Sequence, residues 1–483
     1  MDKFIKDKIN DLEVKDNFDS INSNIEYSNF TNQKKSSNIS KLLKRLIIPL
    51  GTLVSILIIV VVLSFSLGDS SEKYRIYQAK EKVQTSSFYG DENYKIFIDK
   101  IENFSNELTV KIYDRYKNEI DLAKQNYCIS PISVYMGLAM AVESSNGNTR
   151  KQILDAVGVT YEEVMKFTSY LYSMSNSSSN GLFEGRNLYM KKLANSIWLD
   201  KDVEFIPEGL ENLSKLYHAD SYHVPFSKRP NAASRAVNDY INKMTEGMID
   251  PNLEYSPETL FILINTFYLK DVWNYDGDKL PLTNEIYHFT QYDNTKVDTN
   301  LMIGHYLYGD IYEGANYFHF FTATNHNHKL KFIIPKDGYS IDDIYNIDNL
   351  NEVNSCKYLV DDYENMVSYR TRCLFPEFNA EFNQDIKDVL IGDFGIIDMF
   401  INGDFSNITD QKIFCEAVHH QTKIEVNRRG IEGGAAVIIP GAGAAGPGEL
   451  EIVYQDFVVD RAFIFLLTDS SDNVLFSGAV GNI

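Results

Sequence analysis

Residues 260–273 read LFILINTFYLKDVW, and the run from Leu260 to Leu269 has the length and composition of a buried strand. Two similar apolar runs follow it, Lys329 to Ile334 (KLKFII) and Phe463 to Thr468 (FIFLLT). Upstream, apolar residues recur instead at helical spacing. Helices therefore come mainly early and strands mainly late, which predicts an α+β domain and not a regular βαβ alternation.

The helical pattern begins at Tyr94, after which apolar residues at 97, 101, 104, 108, 112 and 116 share one face. A second helix is predicted after Ser130-Pro131, because serine can cap a helix and proline is tolerated in its first turn. The Ser/Asn run from Ser173 to Gly181 is predicted to be a loop. No linker is visible after Tyr94, so we predict one large domain over 94–483.

Composition excludes several classes of protein. The 483 residues are 44% hydrophobic and 23% charged, which is typical of a folded chain. A net charge of -21 disfavours binding to nucleic acid, which needs a basic face. The four cysteines form no C-x-x-C pair, so neither a disulfide scaffold nor a structural zinc site is expected.

One segment has the properties of a membrane span. Leu46 to Leu67 (LIIPLGTLVSILIIVVVLSFSL) contains no charge in 22 residues and would measure about 33 Å as a helix. Basic residues precede it, so the N-terminus is expected in the cytoplasm and the remainder outside. We therefore predict a disordered cytoplasmic tail (1–45), a transmembrane signal anchor (46–67) and a stalk (68–93). A cleaved signal peptide, which would make the protein secreted, and a buried core helix are the alternatives; a preceding segment of about 45 residues is long for a signal peptide.

The glycine pattern at Gly441, Gly443 and Gly446 matches G-x-G-x-x-G but does not indicate a nucleotide site. Pro447 and Gly448 follow it, whereas a dinucleotide fold requires a helix to begin there. Too few residues remain to complete such a fold. An exposed loop of small residues is the better interpretation, and no cofactor is predicted.

Histidines offer two further candidates. His326 and His328 could share a face and bind a metal, but no third ligand is apparent nearby, so a solvated turn is favoured. His419 and His420 would point apart on a strand, which leaves room for one buried member. Recognisable nucleophile, metalloprotease and phosphate-binding motifs are lacking, and we predict that the protein is not an enzyme. An exported metal-dependent enzyme using His326 and His328 is retained as a minor alternative.

Several short stretches, in order over about 390 residues, resemble segments typical of the serpin family. They are Asn126–Ser133 (resembling SPxS), Gly147–Ile153 (GNTxxQI), Val237–Ile249 (VNxWVxxxTxGxI), Asn265–Trp273 (NAIYFKGxW), Asp404–Ser406 (DFS), Phe457–Phe463 (FxADRPF) and Leu475–Gly478 (LFxG). The resemblance implies three β-sheets, about eight or nine helices and an exposed reactive-centre loop between Glu425 and Phe457.

The resemblance also implies a mechanism. A serine protease attacks the loop and forms an acyl-enzyme, and the severed loop then inserts as a new strand of the main sheet, which traps the protease. By the same resemblance, Ser130, Ser133, Asn265 and His420 would form a hydrogen-bonded shutter beneath that sheet. Trp273 would pack in the breach, where the loop first enters.

The hinge of this loop would consist of Gly430, Ile431, Glu432, Gly433, Gly434, Ala435 and Ala436. Alternate residues from Ile431 to Ile439 are apolar, as a half-buried inserted strand requires. The family's hinge commonly reads EEGTE, whereas here Arg428 and Arg429 replace two acids and Ile431 replaces a small residue. Pro440 also suits a central strand poorly.

The family's usual spacing from the hinge places the scissile bond at Ala444-Ala445, whereas counting back from Phe457 points nearer Gly448. Either position offers a small residue, which favours an elastase-like or subtilisin-like target protease with a shallow pocket. The expected protein is a monomeric, membrane-anchored suicide inhibitor that faces outward. The alternative is a non-inhibitory serpin that acts as a binding or structural module.

Overall fold

The computed structural model describes residues 71–79, 88, 90–180, 187–273, 279–431 and 450–483, and the side chains of 177–180 and 187–188 are not described. The predicted tail and anchor (1–45 and 46–67) lie outside the described residues. Within the described part of the chain, no helix is both long and apolar enough to cross a membrane.

Ten α-helices occur in the described residues, and two of them have only four residues. They are α1 (Glu92–Tyr116), α2 (Pro131–Ser144), α3 (Gly147–Val157), α4 (Tyr161–Met174), α5 (Pro207–Leu216), α6 (Pro230–Met244), α7 (Ile341–Ile344), α8 (Ile347–Ser355), α9 (Lys387–Gly392) and α10 (Asp398–Ile401). The two predicted early helices are confirmed as α1 and α2. The Asp91 side chain accepts from two amides at the start of α1, and Pro131 occupies the first turn of α2.

Twenty-one strands are described, of which the first eleven are short apart from β4 and β6. They are β1 (Arg75–Tyr77), β2 (Tyr127–Ile129), β3 (Ser177–Asn180), β4 (Asn187–Asp200), β5 (Ala219–Val224), β6 (Phe261–Val272), β7 (Tyr287–Thr290), β8 (Lys296–Thr299), β9 (Met302–Ile303), β10 (Leu307–Tyr308) and β11 (Tyr312–Glu313). The remainder are β12 (Tyr317–Ala323), β13 (Lys329–Pro335), β14 (Asp361–Asp362), β15 (Val367–Phe375), β16 (Phe378–Asp385), β17 (His419–Asn427), β18 (Gly430–Ile431), β19 (Glu451–Val458), β20 (Phe463–Thr468) and β21 (Val474–Val480).

The strands form three larger sheets and a two-stranded ribbon. The main sheet has the order β1-β5-β4-β6-β18-β17-β16, with β3 paired to β4. The second sheet runs β11-β12-β13-β20-β21-β2, and the third surrounds β15. The three predicted apolar runs are confirmed as β6, β13 and β20, and the α+β prediction is confirmed with them.

The main core lies around α2, which packs against β6 of the main sheet and β21 of the second. All of its residues are buried except Gly137. A smaller core gathers around Trp198, which stacks on Tyr222 with ring centroids 3.9 Å apart. α2 is thus enclosed between two sheets, and its first turn reaches the middle of the main sheet.

Two stretches differ from the sequence prediction. The Ser/Asn run from Ser173 to Gly181 includes β3, because pairing with β4 overrides the turn preference of its residues. Within the predicted stalk (68–93), Arg75–Tyr77 pairs with β5 as an edge strand. The amide of Ala79 also donates to Asp220 at 2.7 Å. This part of the predicted stalk therefore belongs to the folded domain.

Candidate functional site

The beginning of the predicted hinge lies within the main sheet. Strand β18 is antiparallel to both neighbours, and its Ile431 pairs with Val426 of β17 on one side and Asp271 of β6 on the other. Ile431 is 1% exposed. Within the described part of the sheet, β6 and β17 are joined through β18 alone. We call the boundary between β6 and β17 the seam.

Gly430 permits this close pairing because it has no side chain. A Cβ atom at this position would lie 2.1 Å from the carbonyl oxygen of Asp271 and 2.6 Å from the Cα of Val272. Any other residue would therefore push the hinge away from β6.

Trp273 closes the same end of the seam. Its indole Nε1 donates to the carbonyl of Asn427 at 2.7 Å, and its ring packs edge-on against Phe375 with centroids 5.3 Å apart. Its backbone amide donates to the carbonyl of Arg429 at 3.3 Å. Trp273 therefore contacts the strand that leads into the hinge, at the place where the resemblance puts it.

The four predicted shutter residues meet beneath the main sheet, at the first turn of α2. Ser130 donates its backbone N–H to Nε2 of His420 at 3.1 Å, and the Ser133 hydroxyl donates to Oδ1 of Asn265. The first pair reaches β17 and the second reaches β6. One helical turn thus contacts both sides of the seam.

Asn195 of β4, which the sequence analysis did not single out, extends this network. Asn265 donates to Asn195 at 2.5 Å, and Asn195 donates in turn to the carbonyl of Tyr217 at 2.6 Å. A single asparagine in a long strand carries no distinguishing pattern. Only its register opposite Asn265 reveals the contact.

Burial determines the charge of His420. The side chain is 6% exposed, and its burial lowers its pKa to about 4, so it is neutral at physiological pH. Neutral Nε2 can accept the hydrogen bond from Ser130. His419, by contrast, is exposed. The expectation that one member of this histidine pair is buried is therefore confirmed.

A second polar cluster, which the sequence analysis missed, lies where the hinge meets β6. Asp271 is fully buried and accepts hydrogen bonds from Nδ1 of His326 at 3.0 Å and Nδ1 of His328 at 2.5 Å. The Thr324 hydroxyl donates to it at 2.5 Å. Burial raises the pKa of Asp271, but these hydrogen bonds outweigh burial and leave the pKa below its usual range.

The solvated turn that was favoured for His326 and His328 is therefore wrong, because Asp271 draws both imidazoles inward. His328 is 2% exposed. Among the described residues, no group of three or more histidine, cysteine or acidic side chains is arranged to hold a metal ion. All four cysteines are free thiols.

The rest of the predicted site lies outside the described residues. This applies to Glu432, Gly433, Gly434, Ala435 and Ala436 of the hinge and to Ala444 and Ala445 of the predicted bait. Described structure resumes at Leu450, directly before β19, which pairs in parallel with β15 of the third sheet.

Comparison with known families agrees with this architecture. The family model described as "Serpin (serine protease inhibitor)" matches residues 103–483. The chain belongs to the serpin family, whose members are protease inhibitors and not themselves enzymes.

Individual relatives are distant. Neuroserpin of Mus musculus is 26% identical over 391 residues, which cover 78% of this chain and 90% of neuroserpin. The native structure of tengpin, a thermophilic serpin, superposes with a TM-score of 0.64 at 23% identity over 84% of this chain and 98% of tengpin. Human thyroxine-binding globulin, solved in complex with thyroxine, gives 0.61 at 19% identity over 80% and 99% of the two chains. The two structural likenesses concern the fold.

Proposed function

We propose that this chain is an inhibitory serpin that traps a serine protease by inserting its cleaved reactive-centre loop along the seam. The observation that carries the proposal is the position of Gly430 and Ile431, which already pair with β6 and β17. The first inserting position thus occupies its place in the uncut chain. An apolar residue as large as isoleucine fits there because it is buried on the core side.

The register of β18 defines where each further residue would go. Continuing the antiparallel pairing from Ile431, residue 433 would lie between Leu269 and Ile424, and residue 435 between Phe267 and Thr422. All four of these partners are buried. The small and apolar alternate residues of the loop would therefore enter the buried face.

The same register places Val437 between Asn265 and His420, the two strand residues that contact the first turn of α2. Full insertion would thus pass directly over the shutter. We infer that the shutter controls how far the loop can enter before it is cut.

The bait is proposed to be Ala444-Ala445, and the target an elastase-like or subtilisin-like protease. Alanine suits a shallow specificity pocket, because a deep acidic or aromatic pocket gains little from a methyl group. We further propose that residues 46–67 anchor the protein in a membrane with the serpin domain outside. The uncharged run and the basic residues before it support this arrangement.

Mixing the full-length protein, solubilised in mild detergent, with pancreatic elastase and with subtilisin tests the proposal. We expect a complex that survives denaturing electrophoresis, and mass spectrometry of the released C-terminal peptide should locate cleavage between Gly441 and Glu449. The variant Ala444→Asp/Ala445→Asp is the control, because a shallow apolar pocket rejects a carboxylate. Cleavage within the loop without a complex, and without a gain in thermal stability, would replace the proposal with a non-inhibitory binding module.

A further inference from the structure

Asp271 is an unusual residue for its place in the sheet. The family segment NAIYFKGxW has glycine at the corresponding position, whereas this chain puts a carboxylate there with no exposed surface. A buried charge is costly unless hydrogen bonds and opposite charges compensate it. Here His326, His328 and Thr324 supply three hydrogen bonds.

All three donors come from one turn, residues 324–328, which joins β12 to β13 in the second sheet. The backbone of this turn also binds the end of β6. The amide of Asn325 donates to the carbonyl of Val272 at 3.0 Å, and its side chain donates to the carbonyl of Trp273 at 3.2 Å. Asp271 therefore fixes the turn of the second sheet to the strand that receives the hinge.

Other groups around the cluster stabilise this arrangement. Tyr189 of β4 stacks on His326 with centroids 3.8 Å apart and an interplanar angle of 13°. Lys191, also on β4, is the nearest buried cation, and it lies 3.8 Å from Asp469 in the turn between β20 and β21. The cluster thus connects both sheets around the hinge.

Ile431 lies directly opposite Asp271 in the sheet, on the same face. Side chains in such a pair are separated by roughly 4.5–5.5 Å at their Cβ atoms. A carboxylate without partners at this distance would draw water into the seam and disfavour burial of Ile431. The imidazole and hydroxyl donors satisfy the carboxylate instead, so the isoleucine can stay buried beside it.

We propose that Asp271, held by His326 and His328, is a positioning residue that keeps the hinge seated between β6 and β17. The cluster sets the starting point of loop insertion, and in that respect the inference rests on the proposed inhibitory function. Its direct effect on the hinge does not require a protease and can be measured in the uncut protein.

Hydrogen–deuterium exchange of the Gly430 and Ile431 amides, in the full-length protein in mild detergent, tests the proposal. In Asp271→Gly, which restores the family's residue, we expect exchange about tenfold faster than in the wild type. That factor corresponds to the loss of one charge-assisted hydrogen bond. Asp271→Asn keeps an acceptor oxygen and should give an intermediate rate, which is the partial rescue expected of a positioning role.

Asp200 provides the matched control. It is equally buried and accepts hydrogen bonds from the Ser227 amide at 2.7 Å, the Ser227 hydroxyl at 2.9 Å and the Asp202 amide at 2.9 Å. It lies near Leu260, at the opposite end of the strand pair, roughly 35 Å from Asp271 along β6. Asp200→Asn should leave hinge exchange unchanged even where it lowers overall stability.

Hinge exchange within twofold of the wild type in Asp271→Gly and Asp271→Asn would overturn the proposal, as would equal acceleration in Asp200→Asn. If the Asp271 variants do not fold, His326→Phe decides the matter, because it keeps the ring stacked on Tyr189 and removes the donor; its hinge exchange should also rise. Complex formation with elastase and subtilisin is scored in parallel. A wild type that forms no complex while its hinge responds to Asp271 refutes the inhibitory function and leaves the positioning role intact.

Discussion

Acidification is expected to weaken the contact between His420 and the first turn of α2. Nε2 of His420 accepts the Ser130 N–H at 3.1 Å, and only a neutral imidazole offers that lone pair. Burial lowers the pKa of His420 to about 4, whereas a histidine in an unfolded chain has a pKa of about 6.5. As the pH falls, the unfolded chain binds the proton first. Stability is therefore complete above about pH 6.5 and is lost progressively as the pH falls toward 4.

The size of the effect follows from these two values. Each pH unit between them corresponds to about 1.4 kcal/mol, so the complete loss amounts to about 3 kcal/mol. At pH 5.0 the unfolded state is almost fully protonated at this site and the folded state almost fully neutral. The loss attributable to His420 at that pH is about 2 kcal/mol.

Urea unfolding at pH 7.5 and pH 5.0, followed by tryptophan fluorescence through the first transition, measures this loss. The variant His420→Gln retains an acceptor for the Ser130 amide but does not titrate, so it should lose about 2 kcal/mol less than the wild type between the two pH values. His288→Gln is the control, because His288 is exposed on the two-stranded ribbon. Equal losses for the wild type and His420→Gln, within about 0.5 kcal/mol, would refute the assignment of acid sensitivity to this site.

Three further substitutions test the seam. Ile431→Asp places a carboxylate in the buried hinge position, so it should release the hinge and reduce the yield of protease complex severalfold, as measured by gel densitometry, whereas Ile431→Val should cost only about 1 kcal/mol of stability. Gly430→Val introduces a Cβ 2.1 Å from the Asp271 carbonyl and should accelerate exchange at the hinge amides; unchanged exchange would argue against the observed pairing. Trp273→Phe removes the 2.7 Å hydrogen bond to Asn427 and should lower stability by about 1 kcal/mol in urea unfolding, with an unchanged midpoint counting against that contact.

The main strands and early helices could be predicted because their signals are local. The apolar run at 260–269 and the helical spacing after Tyr94 are each contained in a short window, and both elements form where expected. The shutter contacts could be predicted only through the family resemblance. Ser133 and Asn265 are 132 residues apart, and no periodicity connects them.

The cluster around Asp271 was missed for a related reason. The sequence Asn325-His326-Asn327-His328 has the composition of a solvated turn, and its partner lies more than 50 residues upstream. One signal was present: Asp271 stands where the family segment has glycine. A charged residue replacing glycine in an apolar strand requires a buried partner, and nearby histidines are the natural candidates.

The two hydrogen bonds at the first turn of α2 differ in chemistry, and this difference gives the seam a preferred way of opening. The Ser133–Asn265 bond joins the helix to β6 through groups that do not titrate, whereas the Ser130–His420 bond joins it to β17 through an imidazole. A proton can break the second bond and leave the first intact. In acid, α2 would therefore stay with β6 and β4 while β17 and β16 move away as a pair, so that the fold has one fixed half and one movable half.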